Sequence, residues 1–68
     1  MIIAKGMRII DIIETYPETE DIFRQYDTKY KAVIMFQYLY ETVEQVAKRY
    51  EINLDEMLAR LNKVIGGL

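Results

Sequence analysis

The chain has 68 residues and a formal net charge of −2, and 51% of its residues are apolar or aromatic. It contains neither Cys nor His, which excludes disulfides and the usual zinc ligand sets. Nine basic and eleven acidic side chains give no basic stripe of the kind that binds nucleic acid. We expect one domain over residues 1–68, stabilised by association with another chain or by unusually good helix packing.

The opening of the chain does not match a targeting or membrane segment. Lys5 and Arg8 interrupt a short apolar start, so no signal peptide is predicted. The longest apolar run is far shorter than the roughly 20 residues of a membrane-spanning helix. We expect a protein that does not enter the membrane, with the cytoplasm as the default location.

Two apolar stretches come first in the chain. Residues 1–4 are apolar and followed by Gly6, which predicts a short extended arm that lies on the core or pairs with another arm. The second stretch is a set of isoleucines at helical spacing: Ile9, Ile10, Ile12 and Ile13. Such residues also suit a buried strand. The acidic residues here fall on one helical face, however, and Tyr16-Pro17 supplies a stop, so a first helix is predicted.

A second helix is predicted to start at Pro17, because a proline in the first helical turn sacrifices no hydrogen bond. The acidic residues that follow are favoured near a helix N-terminus by the helix dipole. They do not have the alternating spacing around a glycine that a calcium loop requires. Ile22, Phe23 and Tyr26 form the apolar stripe, and the helix is predicted to end near Tyr26, with a loop at residues 27–28.

The central segment, residues 30–40, reads YKAVIMFQYLY and shows no periodicity. From Ala32 to Tyr40 only Gln37 is neither apolar nor aromatic. A segment that is apolar all round must be covered all round, by its own domain or by another protein.

A helical central segment would have two sets of side chains. Consecutive residues are about 100° apart, so Val33, Phe36, Gln37 and Tyr40 would share one side. We predict that this set packs in the core and that the other leaves an exposed apolar patch, a feature that commonly marks association sites. The predicted interface residues are Met35, Tyr38 and Leu39, with Ile2 and Ile3 of the arm beside them.

Two capping boxes follow, in which a side chain at the helix start and one three residues later satisfy free backbone N–H groups. Thr42 pairs with Gln45, and Asn53 pairs with Glu56. The tight connection between the two predicted helices favours an αα-corner, and Gly66-Gly67 is predicted to end the last helix. The fold class is therefore predicted as all-α, a compact array of four to five short helices.

Residue types for catalysis are missing or unremarkable. The chain has no Ser and no glycine-rich phosphate loop, and no carboxylate is singled out by its neighbours. Met35 and Met57 are expected to fill the core. We expect no enzyme activity, no catalytic, cofactor-binding or metal-binding residues, and no cofactor.

Four motifs carry a family resemblance. They are MRIIDIIETYP at residues 7–17, IFRQY at 22–26, ETVEQVA at 41–47 and INLDEML at 52–58. In them the chain resembles a small bacterial and archaeal helical domain of unknown function, the hybrid-cluster-protein-associated disulphide domain. That resemblance implies a helical fold and a place beside hybrid-cluster or iron–sulfur-repair proteins.

The chain also departs from that family. Typical members carry Gly and then a Cys-x-x-Cys pair after the second helix, where this chain has Asp27 and residues 30–33. No redox residue can therefore be carried over, and we infer that apolar bulk replaces the cysteine pair. Arg8 stands where a capping Thr is common, so the first helix is expected to fray.

The expected function is a non-catalytic protein-interaction module that self-associates. The alternative is an accessory or docking domain for a redox or iron–sulfur enzyme, which would position a partner without supplying ligands itself.

Overall fold

The computed structural model describes residues 2–66, which form five α-helices and no strand. The helices are α1 (Ile9–Thr15), α2 (Glu20–Tyr30), α3 (Ile34–Gln37), α4 (Val43–Arg49) and α5 (Leu54–Val64). A 3-10 turn, Pro17–Thr19, joins α1 to α2 and contains the proline predicted to start the second helix. The predicted all-α fold is confirmed.

One core takes side chains from all five helices. Its fully buried members include Ile9, Ile12, Phe23, Ile34, Val43, Val46, Met57 and Leu61. The three shortest helices, α1, α3 and α4, are too short to be stable alone, so packing of their apolar faces holds them in place.

The predicted N-terminal arm lies on the core and is held there by Asn62 of α5. The side-chain oxygen of Asn62 accepts hydrogen bonds from the N–H groups of Ile2 (2.9 Å) and Ile3 (2.8 Å). Its amide nitrogen donates to the carbonyls of Ile3 (3.0 Å) and Leu58 (2.9 Å). Ile3 and Asn62 are both fully buried. Met1 of the predicted arm lies outside the described residues.

The segments that lead into α1 and α4 cap each other's helices through the backbone. They run antiparallel and meet at a bridge between Arg8 and Thr42. The hydrogen bonds are Ile9 N–H to Glu41 O (2.9 Å), Ile10 N–H to Leu39 O (2.8 Å), Val43 N–H to Met7 O (3.0 Å) and Glu44 N–H to Lys5 O (3.1 Å). The expected fraying at Arg8 is therefore wrong, because carbonyl groups replace the missing side-chain cap of α1.

Both predicted N-cap residues are confirmed, but only Thr42 and Gln45 form the full predicted capping box, because no hydrogen bond returns from the Glu56 side chain to the N–H of Asn53. Thr42 Oγ1 accepts from the N–H of Gln45 (3.1 Å), whose side chain accepts from the N–H of Thr42 (2.9 Å). Asn53 Oδ1 accepts from the N–H of Glu56 (2.9 Å). At the other end of α5, Gly66 has a φ of 71°, as expected of a C-cap glycine, while Gly67 lies outside the described residues.

Helix α2 continues to Tyr30, so its predicted end near Tyr26 is wrong. Tyr26 and Tyr30 stack one helical turn apart, with ring centres 5.9 Å from each other. Thr28 bonds back to the helix through its hydroxyl, 3.1 Å from the Arg24 carbonyl. The predicted loop at residues 27–28 therefore lies within the helix. The Asp27 side chain extends from the helix and forms hydrogen bonds with the backbone of residues 34–35.

Helices α2 and α4 end in the same way. A positive φ is found at Lys31 (52°), directly after α2, and at Glu51 (56°), the second residue after α4. The next N–H then bonds back to the helix, from Ala32 to Asp27 O (2.9 Å) and from Ile52 to Ala47 O (2.8 Å). This is the Schellman arrangement, in which Gly usually takes the left-handed position.

Candidate functional site

The central segment forms one helical turn, α3, rather than a long helix. The Asp27 carboxylate accepts hydrogen bonds from the N–H groups of Ile34 (2.9 Å) and Met35 (3.2 Å), at the start of the turn. The Ile34 side chain is fully buried in the core. One charged acceptor and one apolar anchor therefore fix the position of α3.

Around this turn, three apolar side chains face solvent. Phe36 is 83% exposed, Tyr40 is 76% exposed and Val33 is 40% exposed. We call these residues the exposed patch. Scattered single apolar residues are normal on a protein surface, but two largely exposed aromatic rings within five residues are a concentrated apolar feature.

The structure reverses the predicted division of the central segment. Met35, Tyr38 and Leu39, expected to be exposed, are half-buried and pack against the core. The helix stops at Gln37, so the 100° spacing used for the prediction does not extend to Tyr38 and the residues after it.

The arm residues also differ from each other. Ile2 is 49% exposed, whereas Ile3 is fully buried, so the expectation that both border an exposed patch is wrong for Ile3. The cause is Asn62, which draws the backbone of Ile3 into the core. Whether Ile2, Met35, Tyr38 and Leu39 contact a partner stays a prediction.

Two residues at the C-terminal end of α4, Arg49 and Tyr50, contact the segment that carries the exposed patch. The Tyr38 ring meets the Tyr50 ring edge-to-face, with centres 6.1 Å apart, and the Arg49 guanidinium lies 4.1 Å from the Tyr38 ring centre. The Tyr50 hydroxyl accepts from the N–H of Val33 (3.3 Å). An aromatic contact of this kind contributes on the order of 1 kcal/mol, and the Arg49 guanidinium adds a cation–π contact at the surface. They help to hold the segment that carries the patch.

Arg49 is also paired with a carboxylate. Its Nε lies 3.2 Å from Glu41 Oε1, and a second guanidinium nitrogen contacts the other Glu41 oxygen. This hydrogen bonding raises the pKa of Arg49 above its ordinary value, and it outweighs the partial loss of solvent around the guanidinium, which acts in the opposite direction. The guanidinium is therefore charged at every physiological pH and is already satisfied by Glu41.

A small pocket lies on α1 and the segment before it. It has a volume of about 100 Å³ and is lined by Met7, Asp11, Ile12, Thr15 and Tyr16. We call it the α1 pocket. Its lining residues combine apolar side chains with one carboxylate residue, Asp11, and two hydroxyl-bearing residues, Thr15 and Tyr16. This pocket was not predicted from the sequence. Met7, two residues before α1, accepts a backbone hydrogen bond from the N–H of Val43 (3.0 Å), a contact between distant residues that no local pattern indicates.

Two other kinds of site are not found in residues 2–66. Within that range no three or more acidic side chains are grouped so that they could hold a metal ion. None of its helices combines the length and the apolar character needed to cross a membrane.

The chain was compared with family models, with curated proteins and with solved structures. None of the three comparisons finds a match. The resemblance to the hybrid-cluster-protein-associated disulphide domain therefore stays a prediction.

Proposed function

We propose that this chain is a small, non-catalytic protein-interaction module that self-associates through the exposed patch. The observation that carries the proposal is Phe36, a large apolar side chain that is 83% exposed on a turn whose backbone is held in place.

The composition of the exposed patch favours an interface. Aromatic side chains are enriched at interfaces and often supply most of the binding energy. Full burial of a side chain such as Phe contributes about 1.5–3 kcal/mol. A standard interface covers about 800 Å² on each partner, roughly a fifth of the 4399 Å² exposed by this chain. Phe36 and Tyr40 would form the centre of such an interface, with the half-buried residues beside them at its edge.

The position of the turn is fixed before any partner arrives. Ordering a loop on binding reduces affinity. Here the Asp27 carboxylate and the Tyr50 hydroxyl already hold the backbone of residues 33–35. Contact with a partner would then require little further ordering.

A second copy of the chain is the partner that we propose. The chain is small and has no disulfide, so association is an available means of stabilisation. A net charge of −2 gives only weak repulsion between copies.

Sedimentation over a concentration series tests the proposal, with wild type compared with Phe36→Gln and Tyr40→Gln. The matched control is Val64→Gln, because Val64 of α5 is also exposed (41%) and apolar. We expect wild type and the control to associate, and the two patch variants to shift toward monomer with unchanged helical circular dichroism. A wild-type chain that remains monomeric at high micromolar concentration contradicts self-association. The docking-domain alternative would then be the stronger hypothesis.

A further inference from the structure

The arm is held in place by contacts that any copy of the chain could supply. In the described part of the chain, the hydrogen bonds from Asn62 to the arm all go to backbone groups, the N–H groups of Ile2 and Ile3 and the carbonyl of Ile3. Every residue except proline carries both kinds of group. The Ile3 side chain adds an apolar anchor that is fully buried in the core. We call Asn62 and the space that Ile3 fills the arm site. It holds an extended segment by its backbone and by one apolar side chain.

The residues that connect the arm to α1 lie at the surface. Residues 4–8 are all exposed, and beyond its chain neighbours no atom lies within 4 Å of the position that a Cβ of Gly6 would take. The carbonyl of Lys5 accepts a hydrogen bond from the N–H of Glu44 (3.1 Å), and the two side chains form an exposed ion pair (3.6 Å). A surface ion pair of this kind contributes little to stability. The connection can therefore open without exposing buried groups of its own.

The length of this connection limits where a second arm site can lie. Met7 is fixed to α4, because its carbonyl accepts a hydrogen bond from the N–H of Val43 (3.0 Å). The chain from Met7 back to Ile3 spans at most roughly 14 Å when extended. An arm that enters the arm site of a second copy therefore requires the two copies to touch. A two-fold axis between them lets both arms exchange at once, so that neither arm site is left empty.

Exchange keeps the contacts of the arm, because each arm meets an identical arm site. The free energy of exchange is then set mainly by the cost of bringing two copies together. The competitor is the chain's own arm, whose effective concentration over a short connection is in the millimolar range. We therefore expect exchange to increase with protein concentration and to reach a measurable fraction at about 1 mM.

We propose that the arm site also binds the arm of a second copy, and that pairs of copies exchange their arms. This contact goes beyond the function proposed above, because it uses no residue of the exposed patch. The ligand of the arm site is thus an extended segment of this same chain, with Ile3 as its anchor.

Two variants that are each defective on one side of the contact test the exchange. Ile3→Asp puts a charge on the arm and keeps Asn62, whereas Asn62→Ala breaks the arm site and keeps the arm. The Ile3→Asp chain is isotopically labelled, and the signals of its Asn62 side-chain amide are followed by NMR at about 1 mM. Adding unlabelled Asn62→Ala chain should move those signals back toward their wild-type positions, because an intact arm then reaches an intact Asn62.

The matched control is the unlabelled double variant Ile3→Asp/Asn62→Ala, which has neither an intact arm nor an intact arm site. Its addition should leave the Asn62 signals unchanged. Circular dichroism checks that the labelled variant is folded. If it is not, the wild-type chain decides the outcome. An equal mixture of labelled and unlabelled wild-type chains should then show nuclear Overhauser contacts between Ile3 of one copy and Asn62 of the other.

The outcomes separate arm exchange from association through the exposed patch. Recovery with Asn62→Ala but not with the double variant supports arm exchange, whatever the effect of Phe36→Gln. No recovery, or equal recovery with both added chains, overturns it, as does a wild-type mixture without contacts between copies. If Phe36→Gln still weakens association in the sedimentation series, the proposed function stands without arm exchange.

Discussion

Two apolar stretches, residues 2–3 and residues 33–40, differ in how deeply the structure buries them, although the sequence predicts that residues 2–3 and part of the second stretch (Met35, Tyr38 and Leu39) share one interface. The first is drawn into the core as far as Ile3, whereas the second leaves Phe36 and Tyr40 in solvent. Both have backbone groups that need hydrogen-bond partners. The arm obtains its partners from a buried amide, Asn62, and the turn obtains them from a half-buried carboxylate, Asp27.

This difference indicates that two things determine which apolar stretch is buried. One is the composition of its side chains, and the other is the group that forms hydrogen bonds with its backbone. A buried stretch must have its N–H and C=O groups satisfied inside the protein. Asn62 offers a donor and an acceptor together, so it can satisfy an extended chain deep in the core. A carboxylate is expensive to bury, so the turn that Asp27 holds stays near the surface.

The largest expected effect comes from Asn62→Ala, which removes the partner of the arm. The N–H groups of Ile2 and Ile3 and the carbonyl of Ile3 lose their hydrogen bonds, and an unsatisfied buried group costs about 1–3 kcal/mol. We expect the free energy of unfolding to fall by about 3 kcal/mol in denaturant titrations. Ile3→Ala should cost less in the Asn62→Ala background than in wild type, because the two residues act together. Equal costs in the two backgrounds would mean that the arm is held by apolar contact alone.

The next effect concerns the turn and comes from Asp27→Ala. Hydrogen bonds to a charged group contribute about 1.5–3 kcal/mol each, and less near the surface. We expect a loss of about 2 kcal/mol in stability, with faster hydrogen exchange at the N–H groups of Ile34 and Met35. Asp21→Ala is the control, an exposed acid on the same helix. If those two N–H groups keep their protection, Asp27 does not position the turn.

The two helix caps near the surface provide a reference for the stability lost when Asn62 or Asp27 is removed. Thr42→Ala and Asn53→Ala each leave one N–H at a helix start without its side-chain partner, which should cost about 1 kcal/mol. The midpoint of a denaturant titration measures the loss. Unchanged midpoints for both variants would contradict the assigned caps. A loss as large as that of Asn62→Ala would remove the distinction between buried and exposed partners.

The smallest effect is a gain in stability from Lys31→Gly. Lys31 leads into the turn with a φ of 52°, a conformation that disfavours residues other than Gly by about 1–2 kcal/mol. Part of that gain is lost to the greater freedom of Gly in the unfolded chain, so we expect about 0.5–1 kcal/mol. Lys29→Gly, inside α2, should instead cost about 1 kcal/mol. A loss at both positions would show that the Lys31 side chain stabilises the entry to the turn.

Local signals in the sequence predicted the parts of the fold that depend on neighbouring residues. The caps at Thr42 and Asn53 and the stop at Tyr16 involve residues within a few positions of each other, and the structure contains all three. The end of α2 was missed because its left-handed residue is Lys31, where a glycine would have marked the position.

The candidate site was harder to predict because it depends on distant contacts. Asp27 reaches Ile34 and Met35 across the end of α2, and Asn62 reaches the arm from the other end of the chain. The spacing of apolar residues in the sequence does not indicate contacts of this kind. The composition of residues 30–40 did mark the segment as unusual, but it did not indicate that Phe36 rather than Leu39 would face solvent.

The hydrogen bonds of Asn62 also have a consequence for folding during synthesis. They join residues separated by 59 and 60 positions in the chain. During synthesis the arm is therefore made well before its partner Asn62. At roughly 5–20 residues per second, the arm waits for several seconds before Asn62 emerges. Docking of Ile3 is therefore a late step, and a nascent chain still lacking α5 exposes an apolar end that chaperones can recognise.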